Sequence, residues 1–154
     1  MKPESAAADP LGVARALVTA NSYATLATVS ADGVPWASPV WMASRDLVEF
    51  VWASKPGARH SRNLADTRRM SLVIFDSSAA PGEGSALYVE AEGELVSDEG
   101  LRDALAIYNS VSLARGLTLW TAAQLTAPAR HRLYRAVARE VFVLDDHDER
   151  IRVR

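Results

Sequence analysis

The chain has 154 residues, a formal net charge of −2 and no cysteine. That length suits one domain with its own apolar core, and the absence of thiols excludes disulfide frameworks, cysteine nucleophiles and sulfur-ligated zinc. The slightly acidic balance excludes a general affinity for nucleic-acid phosphates, so any anion site has to be local.

The opening Met-Lys-Pro-Glu-Ser-Ala-Ala-Ala has no long apolar run behind Lys2, unlike a secretory signal. Charges interrupt every later apolar run well short of membrane length. The expectation is a cytoplasmic protein with neither membrane nor nucleic acid as partner, a flexible tail over residues 1–8 and a single domain over residues 9–154.

Asp9 as N-cap, Pro10 in the first turn and Leu11, Ala14, Leu17 and Val18 behind them predict a helix ending near Asn21. Residues 23–30 and 34–42, either side of Asp32-Gly33, predict a hairpin. Pro39 cannot donate to a ladder, so it is expected at an edge, at a bulge, or where something other than a strand receives the backbone. A third strand over residues 47–53 follows a turn at Arg45-Asp46, and residues 54–64 turn into a short helix. Residues 70–75 are almost continuously apolar and predict a strand buried on both faces in mid-sheet. After a loop at Pro81-Gly-Glu-Gly84, residues 86–96 place Leu87, Val89, Ala91 and Leu95 on one face of a strand, with Glu90, Glu92 and Glu94 on the other. Ser97-Asp-Glu99 opens an amphipathic helix carrying Leu101, Leu105, Tyr108 and Val111. A last long strand covers residues 133–144, and residues 151–154 suit a short edge. Six strands with flanking helices make an α+β domain, and the need to control sheet edges favours closing the strands into an antiparallel barrel.

Two constellations carry candidate chemistry. Ser54, Lys55, Arg59, His60, Ser61 and Arg62 combine hydroxyls, cations and the free amides of a helix start, the donor set that a phosphate needs; a solvated basic helix face is the alternative. Trp36, Trp41 and Trp52 lie on adjacent predicted strands beside that cluster, with Trp36 on the opposite face from Trp41. Aromatics next to a phosphate receptor suit a planar cofactor with a phosphorylated tail, the alternative being tryptophans that fill a core or an interface. His60, His131 and His147 show no helical His-Glu pair and no carboxylate cluster, so no metal is expected. Neither a nucleophile elbow nor a phosphate loop is present.

From Ala24 to about Leu144 three stretches occur in a telling order: Thr25-Leu-Ala-Thr-Val-Ser-Ala-Asp-Gly-Val-Pro35 with Ser38-Pro-Val-Trp41, then Arg59-His-Ser-Arg-Asn-Leu64 before Met70-Ser-Leu-Val-Ile-Phe75, then Leu87-Tyr-Val-Glu-Ala-Glu-Gly-Glu94. In that order the chain resembles the pyridoxamine 5′-phosphate oxidase-like family of FMN-binding split barrels. The resemblance implies a six-stranded antiparallel split β-barrel with flanking helices and a homodimer holding FMN at its interface. It implies Arg59 and His60 on the flavin phosphate, Ser54 as a hydroxyl donor from the preceding strand, and Ser38, Pro39, Val40 and Trp41 along the isoalloxazine ring. With Trp52, Lys55 and Ser61 these residues form the candidate cofactor site.

The function so implied is an FMN-binding oxidoreductase that exchanges a hydride with a small organic substrate, and no side chain is marked out as its acid or base. The deazaflavin F420 is the alternative cofactor, and a non-catalytic flavin or haem module is the alternative of another class. True oxidases of this family hold the substrate phosphate through a Trp-rich C-terminal segment with an Arg and a His. Here that region reads Glu140-Val-Phe-Val-Leu-Asp-Asp-His147, so oxidation of pyridoxamine phosphate is not expected. Ala86 stands where related oxidases present a polar side chain to the flavin. Trp36, Trp41, Trp52 and Trp120 are expected to overfill one small interior, which would place some of them in a subunit interface.

Overall fold

A computed structural model describes residues 9–154; the tail expected over residues 1–8 lies outside the described residues. In chain order the elements are α1 (Pro10–Ala20), β1 (Tyr23–Val29), β2 (Pro35–Arg45), β3 (Glu49–Ser54), α2 (Arg59–Thr67), β4 (Arg69–Phe75), β5 (Ala86–Leu95), α3 (Leu101–Ala114), a 3₁₀ turn (Ala122–Leu125), β6 (Arg132–Leu144) and β7 (Arg150–Arg152). The strands run β3-β2-β1-β4-β5-β6, every pairing is antiparallel, and a further β3–β6 pairing closes the ring. The fold is therefore the α+β split barrel of six strands, with β7 added beside the end of β6.

Local chemistry explains the joints. The Asp9 carboxylate accepts from the amides of Leu11 and Gly12, which caps α1, and Pro10 occupies the first helical position, where a missing N–H costs nothing. Gly33 takes φ +84° in the β1–β2 turn. The β2–β3 turn departs from the sequence reading: Asp46 and Leu47 both have positive φ, 51° and 58°, with Val48 N–H bonded to Arg45 C=O, so the strand begins at Glu49 and not at Leu47. Positive φ at both central residues is what a tight hairpin needs. Leucine tolerates that backbone because its side chain is anchored in the core.

Inside the ring, Leu26, Val40, Met42, Phe50, Trp52, Leu72, Ile74, Leu87 and Val143 form the barrel core, and α1 covers one end with Ala14 and Leu17. A second cluster sits outside the ring, where Ala104, Ile107 and Tyr108 of α3 pack on Ala43, Val51 and Leu133. Helix α2 closes part of the barrel with Leu64, a burial that contributes about 1.5–3 kcal/mol. Gly93 makes room for it, since a Cβ there would meet Met70 Sδ at 2.5 Å and Leu64 Cδ2 at 2.9 Å.

Three expectations change. β4 does run in mid-sheet, yet only alternate residues are buried: Ser71 and Phe75 are exposed, so a single chain covers one face of it. Leu95 is exposed although it shares a parity with Leu87 and Val89: it is the last residue of β5, at the end of the barrel. The tryptophans do not overfill the interior: Trp52 is in the barrel core, Trp41 and Trp120 pack beside the second cluster, and only Trp36 is largely exposed. Two separate cores absorb what one would not.

Candidate functional site

The phosphate-type constellation gathers at the end of β3 and the start of α2. Ser54 is the last residue of β3, and the turn at Lys55–Ala58 is closed by Ala58 N–H on Lys55 C=O. No side chain caps α2, and its first internal bond runs from Arg62 N–H to Ala58 C=O. Among the described residues, the amides of Arg59, His60 and Ser61 therefore donate to nothing. A helix start with three free N–H groups carries partial positive charge and is a ready receptor for an anion.

The side chains around it divide by role. Lys55 and Arg59 are exposed cations, and neither makes an ion pair among the described residues. Arg62 turns back and donates to the Gly57 carbonyl, which fixes the loop. His60 is 7% exposed and its Nε2 lies 2.7 Å from Ser54 Oγ, so the two residues satisfy each other across the turn. Burial pushes the His60 imidazole below its ordinary value of 6.5, which keeps the ring neutral at physiological pH. The Ser61 hydroxyl is buried with no hydrogen-bond partner, and Asn63 donates to Thr28 Oγ1 at 3.0 Å, tying α2 to β1.

The aromatic part lies alongside. The Arg59 guanidinium carbon is 4.5 Å from the centroid of the Trp36 indole, so the end of the β1–β2 hairpin touches the first turn of α2. β2 pairs with β1 along Pro35–Trp41, whereas β3 joins it only from Met42 onward. Residues 35–41 thus keep one open edge. Met42 N–H bonds to Ser22 C=O on the β1 side, and strand alternation then turns Ala37 and Pro39 toward the open edge. Pro39 has no N–H to leave unpaired there, in keeping with an edge position.

Of the residues that sequence reasoning gathered, Ser38, Pro39, Lys55 and Arg59 are accessible at this junction. Ser54, His60 and Ser61 are beneath it. Val40 and Trp52 are not beside it as side chains: Val40 is buried in the barrel, and Trp52 is fully enclosed and stacked on Tyr134 at 6.0 Å. Trp41 faces α3, edge-on to Tyr108 at 4.9 Å. Strand parity explains all three, since the inner face of β2 and β3 is core and the outer face here is claimed by α3. In the sequence Trp36 is one aromatic among several; its pairing with Arg59 needs the hairpin and α2 in contact, which no local pattern announces.

The residues present fit a flavin mononucleotide in two respects. Three free amides, Arg59 and Lys55 match the charge of a phosphate monoester. The open edge of β2 offers backbone groups to the donor and acceptor edge of a planar heterocycle. Among the described residues no group of three or more histidine or acidic side chains is placed to hold a metal ion, and no helix is long and apolar enough to cross a membrane.

Comparison with known proteins agrees with this architecture. A haem-binding protein from Mycobacterium smegmatis superposes with a TM-score of 0.72 at 20% identity, covering 93% of this chain and 57% of that one. The haem storage protein HutZ from Vibrio cholerae gives 0.64 at 20% identity, over 84% of this chain and 90% of its own. HupZ from Group A Streptococcus gives 0.64 at 14% identity, over 93% and 98%. The chain thus spans a little over half the length of the mycobacterial protein, and at these identities the likeness is one of fold. No curated protein matches it significantly. The family model for pyridoxamine 5′-phosphate oxidase matches residues 12–145, which include every strand of the closed barrel, and the chain belongs to that family.

Proposed function

We propose that this protein binds FMN at the junction of β2 and α2 and uses it to exchange a hydride with a small organic substrate. The observation that carries this reading is the uncapped start of α2, with its three free amides beside Arg59 and Lys55, next to the open edge of β2. In the proposed complex the phosphate sits on those amides and cations, and the backbone of Ser38 and Pro39 runs along the ring. A bound flavin supplies the hydride chemistry at N5; the protein supplies orientation and charge. Ser54 and His60 serve beneath the site, holding the first turn of α2 against the end of β3. The proposed assembly is a homodimer in the cytoplasm with the flavin at its seam. F420 remains the rival flavin, favoured by the exposed Lys55. Pyridoxamine phosphate is not the proposed substrate, since residues 140–147 lack the aromatic and basic pattern that would hold a second phosphate.

A second reading is a haem-binding module without catalysis. Its support is the likeness in fold to the mycobacterial haem-binding protein and the Vibrio haem storage protein. His131, half-buried with its ring 5.6 Å from Trp120, is the imidazole that such a module would offer at a different edge of the molecule. Titration of ligand-free protein with FMN, riboflavin, F420 and haem separates the readings. Micromolar FMN binding with reduction by a nicotinamide donor is expected; a Soret shift with haem and no retention of FMN in equilibrium dialysis would favour the second.

A further inference from the structure

Trp36 is 41% exposed at the end of β2, contributes to neither apolar cluster, and meets Arg59. The guanidinium carbon lies 4.5 Å from the indole centroid, so Trp36 packs against the cationic end of Arg59. None of the guanidinium N–H groups donates to another described residue. A guanidinium released from the indole would sample other directions, and a phosphate ligand would lose a partner already in place.

We propose that Trp36 is the positioning residue for phosphate recognition: it holds the Arg59 guanidinium at the mouth of α2 and thereby strengthens the preference for a phosphorylated flavin over its dephosphorylated form. The inference rests on the FMN reading above but adds a residue that reading does not need. An exposed cation–π contact corresponds to a factor of roughly two to five in an equilibrium constant, and the loss of a charge-assisted hydrogen bond to about ten or more.

The test is a double-mutant cycle in the full chain, with FMN and riboflavin titrated into wild type, Trp36→Ala, Trp36→Phe, Arg59→Ala and the Trp36→Ala/Arg59→Ala pair. Urea midpoints serve as a check on folding. Trp36→Ala is expected to lower FMN affinity about two- to five-fold with riboflavin unchanged, Trp36→Phe to restore most of it, and the pair to bind FMN no worse than Arg59→Ala alone. Equal loss for both ligands, no loss for either, or additive losses in the pair overturn the role of Trp36 while leaving the phosphate site standing. A wild type that shows no preference for FMN over riboflavin overturns the phosphate site and this inference with it, and an Arg59→Ala variant whose preference equals that of wild type overturns the inference alone.

Discussion

At the scale of single residues, the division of labour within one short turn decides what the site can hold. His60 and Ser54 spend their polar groups on each other at 2.7 Å, which leaves Arg59 and Lys55 as the charge-bearing side chains. Arg59→Ala is therefore expected to weaken FMN by about ten-fold with little effect on riboflavin, whereas His60→Ala should weaken the fold and both ligands together. Isothermal titration with the two flavins checks the contrast. The buried imidazole also makes a statement about pH. Its folded-state value lies below the ordinary 6.5, so the native state resists a proton that the unfolded chain accepts. Its contribution is present above pH 6.5 and is lost as pH falls below that value toward the lowered one. Urea unfolding between pH 7.5 and pH 5 should show stability falling in this window, with a shallower slope in His60→Gln. Equal slopes in the two proteins would remove His60 from the account.

At the scale of elements, the molecule depends on how tightly α2 is seated, because the site is its first turn. Gly93→Ala puts a methyl group against Met70 and Leu64 inside ordinary contact distance, and overpacking of that kind costs about 1–3 kcal/mol. A run of charges also links the elements: Asp103 and Glu49 share Arg45, Glu49 and Glu94 share Arg135, and Glu94 also holds Arg68 at the end of α2. Glu49 is buried, but its arginine partners are partly solvated, so Glu49→Gln is expected to cost only about 1 kcal/mol or less. Urea midpoints that rank Glu49→Gln above Gly93→Ala in damage would show that charge, not packing, seats α2. These elements were largely legible in the sequence, because alternation along Ala86–Leu95, the Asp9-Pro10 cap and the Asp32-Gly33 turn are local signals. What was not legible is what strands do at a distance. Closure of the barrel was expected, but that β3 and β6 are the strands that close it, and that α3 packs on the outside of β2 and β3, depends on partners more than forty residues apart. That is why Trp52 and Trp41, read locally as possible cofactor aromatics, belong to the two cores.

At the scale of the whole molecule, the outer surface of the barrel carries the face where the proposed dimer would meet. The cross-strand register sets Thr25, Val73, Tyr88 and Phe142 side by side across β1, β4, β5 and β6, and Phe75 stands next to that row, 48% exposed. Beside them an open groove of about 540 Å³ runs between Ala27, Ser71, Glu90 and Arg139. The four residues of the row are half-buried, with Arg150 over the Tyr88 ring, and a wide, mostly apolar sheet face with a concave flank is the kind of surface that a partner subunit covers. β1 contributes both to this face and to the ladder of β2, so a second chain seated here would lie one strand from the open edge of Pro35–Trp41. A seam in that place makes assembly and cofactor binding the same equilibrium, because ligand that binds only the dimer stabilises the dimer by mass action. The expected interface buries more than about 2,000 Å² if the dimer is obligate. Val73→Asp and Phe75→Asp place a charge at its centre, and each is expected to yield a monomer that also loses FMN. Sedimentation equilibrium from nanomolar to micromolar protein, with and without FMN, reads both consequences at once. A folded monomeric variant that keeps wild-type FMN affinity would mean that one chain holds the flavin alone, and a variant that stays dimeric would move the seam to another face of the barrel.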